Sequence, residues 1–178
     1  MADAIEELVE RAVRARRERR LTDAKGAWTE AMALARVAGG TRALIQSLKG
    51  LGQVERDLGN DSEALSLYEE AVRLCRAEGD TQLLAHTLRH LGDIRSDLHQ
   101  WQLARPSYEE ALALYRRDAS TETLDLANAI RPFAILKEQP GEKEAARGLW
   151  EEARQLYEAA GVATGVAEST NRLATLKT

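Results

Sequence analysis

The sequence predicts an all-α fold, an array of antiparallel helix hairpins stacked side by side, and three observations carry that prediction. A block of the form Ala, an aromatic four residues on and Ala three further recurs as Ala24/Trp28/Ala31, Ala64/Tyr68/Ala71, Ala104/Tyr108/Ala111 and Ala146/Trp150/Ala153. The blocks begin 40, 40 and 42 residues apart, and their internal spacing puts all three residues on one helical face. A second pattern ends 12 residues ahead of each block, at Ala12, Gly52, Gly92 and Ala134. The composition agrees with both: 44% of the 178 residues are hydrophobic but only 4% aromatic, and the Ala and Leu that dominate suit closely packed helices better than a sheet.

From the N-terminus, the periodicity and its punctuation give nine helices, over about 1–20, 22–38, 42–58, 61–78, 81–98, 101–117, 121–138, 142–160 and 163–177. The first hairpin carries Leu8 and Ala12 ahead of Ala24. The second has Leu48, Leu51 and Gly52, the third Leu88, Leu91 and Gly92, and the fourth the weaker Ile130, Phe133 and Ala134. A glycine inside a helix costs about 1 kcal/mol relative to alanine. Its recurrence therefore predicts close contact with the second helix of the hairpin. Thr170, Leu173 and Ala174 repeat the first-helix positions with no second helix after them, so a closing helix is expected, with Glu168, Asn171, Arg172 and Lys177 toward water. Residues 1–178 then form a single domain of four hairpins plus a C-terminal closing helix.

Turns within hairpins are expected near Leu21 to Asp23, Gly59 to Ser62, Leu98 to Gln100 and Gln139 to Glu142, where Pro140-Gly141 is the strongest signal. Between hairpins lie Gly39-Gly40-Thr41, Gly79-Asp80-Thr81, Asp118 to Thr121 and Gly161 to Thr164. Candidate N-caps are Thr41, one of Asn60, Asp61 and Ser62, Asp80 or Thr81, and Ser120 or Thr121; Gly39 and Gly79 suit left-handed helix ends. Pro106 falls in the first two turns of its helix, whereas Pro132 should bend or interrupt the helix that contains it.

The pattern resembles the tetratricopeptide repeat. Leu48, Leu51, Gly52, Ala64, Tyr68 and Ala71 match its consensus, as do Leu88, Leu91, Gly92, Ala104, Tyr108 and Ala111. The outer copies depart from it, with Ala12 and Ala134 for the glycine and Trp28 and Trp150 at the usual Phe or Tyr site. The repeat of 40 to 42 residues is longer than the common one and is similar to those of kinesin light chains, spindle adaptor proteins and bacterial regulatory proteins. The resemblance implies an α-solenoid, a right-handed superhelix whose first helices line a concave groove for a peptide or protein segment. It implies a non-catalytic interaction module or scaffold, with no cofactor.

Mapping the family's groove positions onto this chain singles out Lys49, Gln53, Arg56, His86, Arg89, Asp93, Asn128 and Arg131 as candidate peptide contacts. Lys49, Arg89 and Arg131 fall at one position in three successive copies, and such a line of cations suits acidic side chains or a free carboxylate. The alternative is a solvated face paired internally by Asp93, Asp97 and Glu138. The family's chaperone-tail clamp fits poorly, since Gln53 replaces its first Asn and only Asn128 lies near its later set.

Other classes have less in the sequence to carry them. With 25 Lys plus Arg against 29 Asp plus Glu, the net charge of -4 gives no general attraction to nucleic acid or anionic membrane. The run Arg11, Arg14, Arg16, Arg17, Arg19 and Arg20 wraps around its helix with Glu10 and Glu18 between. His86 and His90 have the spacing of metal ligands, but HTLRH lacks the catalytic glutamate of HExxH, and no phosphate-binding loop is present. A hydrolytic or metal-dependent enzyme is therefore the weaker reading. The pairs Glu69-Glu70, Glu109-Glu110 and Glu151-Glu152 recur with the repeat, which marks an architectural surface. Cys75 falls among apolar positions and reads as a buried small hydrophobe. No apolar stretch can span a bilayer and the N-terminus lacks a secretory pattern, so the cytoplasm is expected. A self-associating subunit is the remaining alternative, a homodimer through terminal helices bearing Leu8, Leu173 or Leu176.

Overall fold

Alanine and glycine at the facing positions let the helices come close enough to stack as hairpins. The computed structural model describes residues 1–138 and 141–176. In it α1 (Ala2–Arg17) pairs with α2 (Leu21–Ala38), α3 (Thr41–Asp57) with α4 (Asp61–Glu78), α5 (Thr81–Asp97) with α6 (Trp101–Arg117), and α7 (Thr123–Glu138) with α8 (Lys143–Ala159). Each second helix also packs on the first helix that follows it, and α9 (Ala163–Thr175) lies against α8. The result is an all-α solenoid, with no strand among the described residues.

The repeated small residues are all buried: Ala12, Ala24, Ala64, Ala104, Ala134 and Ala146, and Cys75 with them. Gly52 and Gly92 are where the close approach was expected. A Cβ on Gly52 would lie 2.6 Å from the Tyr68 ring, and one on Gly92 2.6 Å from the Tyr108 ring. A further close approach at Gly50, where a Cβ would meet the Trp28 indole at 2.2 Å, has no counterpart in the consensus. It stands 22 residues after its aromatic, as His90 does after Tyr68 and Arg172 after Trp150. His90 covers Tyr68 at 5.7 Å between ring centroids, and the Arg172 guanidinium lies 5.8 Å over the Trp150 ring. In the first hairpin the Trp28 indole itself fills the space that a side chain at this position would take.

Ion pairs tie the hairpins together on the second-helix side. Arg36 meets Glu70 at 3.0 Å, Arg76 meets Glu110 at 2.7 Å and Arg116 meets Glu152 at 2.7 Å. The second glutamate of each recurring pair is thus an inter-repeat contact. Glu55 is 2% exposed, and its charge is met by Lys25 at 2.8 Å and the Asn60 amide at 2.8 Å.

The helix ends correct some of the sequence expectations. Gly39 and Gly79 end α2 and α4 in the left-handed conformation, at φ 69 and φ 75, and Asp80 caps α5 by accepting from the Leu83 amide at 2.9 Å. Thr41 is already helical behind Gly40, and Asn60 spends its amide on Glu55 instead of capping α4. Ser120 and Thr121 precede α7 without capping it; Thr121 donates to the Tyr115 carbonyl at 2.8 Å and Ser120 bonds Asp118. α7 runs unbroken through Pro132, because Ile130, Phe133, Ala134 and Leu136 are buried on both sides of it. The turn residues Gln139 and Pro140, and Lys177 at the chain end, lie outside the described residues; Gly141 takes a left-handed φ of 77.

Candidate functional site

The groove face of α3, α5 and α7 is concave at the middle of the stack, where a recess of about 410 Å³ opens. Five of the eight candidate contacts line it: Arg56 from α3, Arg89 and Asp93 from α5, and Asn128 and Arg131 from α7. The other three lie elsewhere. Lys49 and His86 line a second recess of about 310 Å³ together with Arg42, Asp80 and Asp125. Gln53 lines a third, of about 420 Å³, against the first hairpin.

Within the central recess Asp93 is the hub. It accepts from the Tyr108 hydroxyl at 2.9 Å and from Arg89 at 3.4 Å, and His90 Nδ1 lies 3.4 Å away. Burial alone would raise its carboxyl, but the hydrogen bond to His90 and the charge of Arg89 outweigh that and leave it below the usual carboxylate range. His90 places Nε2 2.7 Å from Arg89, which leaves Nδ1 to carry the proton toward Asp93. The remaining cations are paired with the element that follows, Arg56 with Asp97 of the next hairpin at 2.6 Å and Arg131 with Glu168 of the closing helix through two bonds of 2.6 and 2.8 Å. Asn128 accepts from the Tyr157 hydroxyl at 3.0 Å through its carbonyl.

Lys49 differs from Arg89 and Arg131, with which it shares a repeat position. It has no ion pair among the described residues, and burial pulls its ammonium down to about 8. Beside it His86 is held neutral: burial first, then the charge of Lys49, pushes its imidazole down to about 2. The His86 and His90 rings meet edge to face at 4.7 Å, and no group of three His, Cys, Asp or Glu among the described residues is placed to hold a metal ion.

The N-terminal arginines divide in the same manner. Arg11 pairs with Glu30 at 3.0 Å, Arg16 with Asp57 at 2.8 Å, and Arg20 with Glu18 and Asp23, both at 2.5 Å. Leu8 is buried, and Leu173 and Leu176 are half-buried against the core. No helix of the described residues is long and apolar enough to cross a membrane. Sequence spacing singled out the five candidates that line the central recess but passed over Gly50 and over Tyr108 as a partner of Asp93.

Comparison with known proteins agrees with this architecture. The tetratricopeptide repeat family model matches residues 4–77 and 83–160. Aspartyl phosphate phosphatase F from Bacillus subtilis is similar in structure, with a TM-score of 0.85 at 17% identity over 94% of this chain and 44% of its own, so the chain spans less than half of that protein. BtubC (BKLC) from P. vanneervenii gives a TM-score of 0.75 at 17% identity, covering 97% of this chain and 79% of its own. A putative kinesin light chain from Podosopora anserina with nearly identical TPR-like repeats gives 0.75 at 15% identity, over 97% of this chain and 94% of its own. At such identities these likenesses establish the fold alone. No curated protein matches the chain. On the family match, which runs over all four hairpins, the chain belongs to the tetratricopeptide repeat family and is a protein-interaction module of that kind.

Proposed function

We propose that residues 1–178 act as one domain that holds an extended segment of a partner protein in the concave groove, centred on the recess between α3, α5 and α7. The observation that supports this reading is the recess itself, whose walls combine the apolar Ile135 and Trp101 with Arg56, Arg131 and the amide of Asn128. Tyr157 engages the Asn128 carbonyl, which leaves its amide hydrogens for a peptide carbonyl. Three arginines against Asp93 and Asp97 favour an acidic segment or a terminal carboxylate. Each arginine already has a carboxylate partner, so a ligand exchanges one ion pair for another, and affinity has to come from backbone and apolar contacts as well. The test is selection from a diverse peptide library by the wild type and by an Arg56→Gln, Asn128→Ala, Arg131→Gln variant of unchanged helicity. Sequence-selective binding lost in the variant supports the groove; binding that is absent or unchanged sinks it.

A second reading, a homodimer through the terminal helices, is favoured by a recess of about 560 Å³ with Ile5 and Val9 of α1 in its wall. It predicts a doubled mass in solution that an Ile5→Glu, Val9→Glu variant reduces to the monomer value.

A further inference from the structure

The four aromatics of the second helices occupy equivalent places, and the residue 12 positions before each belongs to the facing first helix. In the fourth hairpin that residue is Glu138, which accepts from Trp150 Nε1 at 2.6 Å. In the third it is Ser96, whose hydroxyl lies 3.3 Å from that of Tyr108. In the second and first it is an arginine, and both guanidiniums pair with the next hairpin, Arg56 with Asp97 at 2.6 Å and Arg16 with Asp57 at 2.8 Å. Tyr68 Oη and Trp28 Nε1 are consequently buried with no hydrogen-bond partner. A donor buried without an acceptor is a deficit that an incoming acceptor can remove.

Trp28 is 4% exposed and lines the recess of about 420 Å³ at the first hairpin, with Arg16, Arg17 and Arg19 against the single acid Asp57. Arg16 answers Asp57; Arg17 and Arg19 have no ion pair among the described residues. Arg19 is held at φ 61 in the hairpin turn, the place where the second and fourth hairpins have Gly59 and Gly141 at φ 80 and φ 77. Glycine serves that conformation with less strain, so the turn itself does not call for an arginine. Gly50 seats the indole flat on α3.

We propose that this recess is a carboxylate subsite, taking an Asp or Glu side chain of a bound peptide. Trp28 Nε1 donates to one oxygen, as Trp150 does to Glu138, and Arg17 and Arg19 supply the charge. Because Nε1 is closed off from water, the carboxylate reaches it by displacing a wall side chain, and we assign that movement to Arg16, which stands 12 residues before Trp28 as Glu138 does before Trp150 and whose pair with Asp57 is partly exposed. A carboxylate is chosen over a phosphate because the fourth hairpin already seats a carboxylate on the equivalent indole, and because Asp57 opposes a dianion. The proposal rests on the groove-binding reading and names an anchor at the N-terminal end of that groove.

The test follows the indole N–H resonances of the ¹⁵N-labelled chain, with Trp28 assigned by Trp28→Phe. The probe is an acetylated, amidated tetraglutamate peptide, compared with its tetraglutamine counterpart and with inorganic phosphate. The expected result is a saturable downfield shift of the Trp28 proton with the glutamate peptide only, while Trp101 and Trp150 stay in place. An Arg17→Gln, Arg19→Gln variant should bind about tenfold or more weakly. Arg16→Glu, which installs an internal acid where Glu138 stands in the fourth hairpin, should shift Trp28 without peptide and abolish its response. A Trp28 resonance unmoved by millimolar glutamate peptide overturns the proposal, as does an equal response to the glutamine peptide or in the Arg17/Arg19 variant. An equal response to phosphate overturns the choice of a carboxylate. A library peptide that binds the central recess while the glutamate peptide leaves Trp28 unmoved defeats this subsite alone; no binding in either experiment defeats the groove as well.

Discussion

Tyr108 donates its hydroxyl hydrogen to Asp93 at 2.9 Å, from the second helix of the third hairpin to the first. That bond makes an acid of the groove face part of the framework. Asp93→Ala strips Tyr108, Arg89 and His90 of a shared acceptor in a site that is 12% exposed, and should cost about 3 kcal/mol. Asp97→Ala breaks only the pair with Arg56, in which the two side chains are 37% and 41% exposed, and should cost under about 1 kcal/mol. Urea unfolding of both variants checks the order; equal losses would remove Asp93 from its place as hub.

Glycines of identical helical propensity should respond in opposite directions. Gly92→Ala drives a methyl to within 2.6 Å of the Tyr108 ring and should destabilise by about 1 to 3 kcal/mol. Gly26→Ala and Gly148→Ala meet nothing within 4 Å on α2 and α8 and should stabilise by about 0.5 to 1 kcal/mol each. Thermal unfolding followed by helical circular dichroism separates the two outcomes.

The pairs Arg36–Glu70, Arg76–Glu110 and Arg116–Glu152 are largely solvent-exposed, and a single exposed pair contributes little. Arg76→Gln should therefore cost about 0.5 kcal/mol at low salt, and 1 M sodium chloride should abolish the difference by screening. A cost that survives high salt would mean that the arginine stem packs.

His86 and Lys49 both bind fewer protons folded than unfolded. His86 does so between about 2 and its ordinary 6.5, and Lys49 between about 8 and its ordinary 10.5. Stability should then rise with pH across both windows. His86→Gln should lose less stability than the wild type as pH falls from 6.5 to 4. Lys49→Met should be about 1 kcal/mol more stable at pH 7, an advantage that fades as pH rises from 8 to 10.5. Denaturation midpoints of the three proteins across pH test both, and parallel curves would contradict them.

The helices were legible in the sequence because a 3.6-residue period and a 40-residue repeat are properties of spacing alone. Thus the expected 61–78 and 101–117 match α4 (Asp61–Glu78) and α6 (Trp101–Arg117), and the close approach at Gly52 and Gly92 follows from glycines recurring where a helix would otherwise exclude them. Caps were less legible. Asn60 and Thr121 are both capable of capping, and what their side chains bond depends on neighbours, Glu55 for the one and the Tyr115 carbonyl for the other, that the turn brings near.

The repeat, the hairpin order and the face on which each helix buries its small residues follow from spacing in the sequence, because side-chain direction follows from position along a helix. Only the tertiary structure decided which groove charges are already satisfied. The partner of Arg131 is Glu168 on the closing helix, 37 residues away, and that of Arg56 is Asp97 on the next hairpin, 41 residues away. Lys49 shares a repeat position with Arg131 yet meets no carboxylate among the described residues, and Trp28 lacks the acid that Trp150 finds in Glu138. Those differences arise from how adjacent hairpins stack, since a charge is neutralised by what lies within a few ångströms and not by what recurs at its position in the repeat.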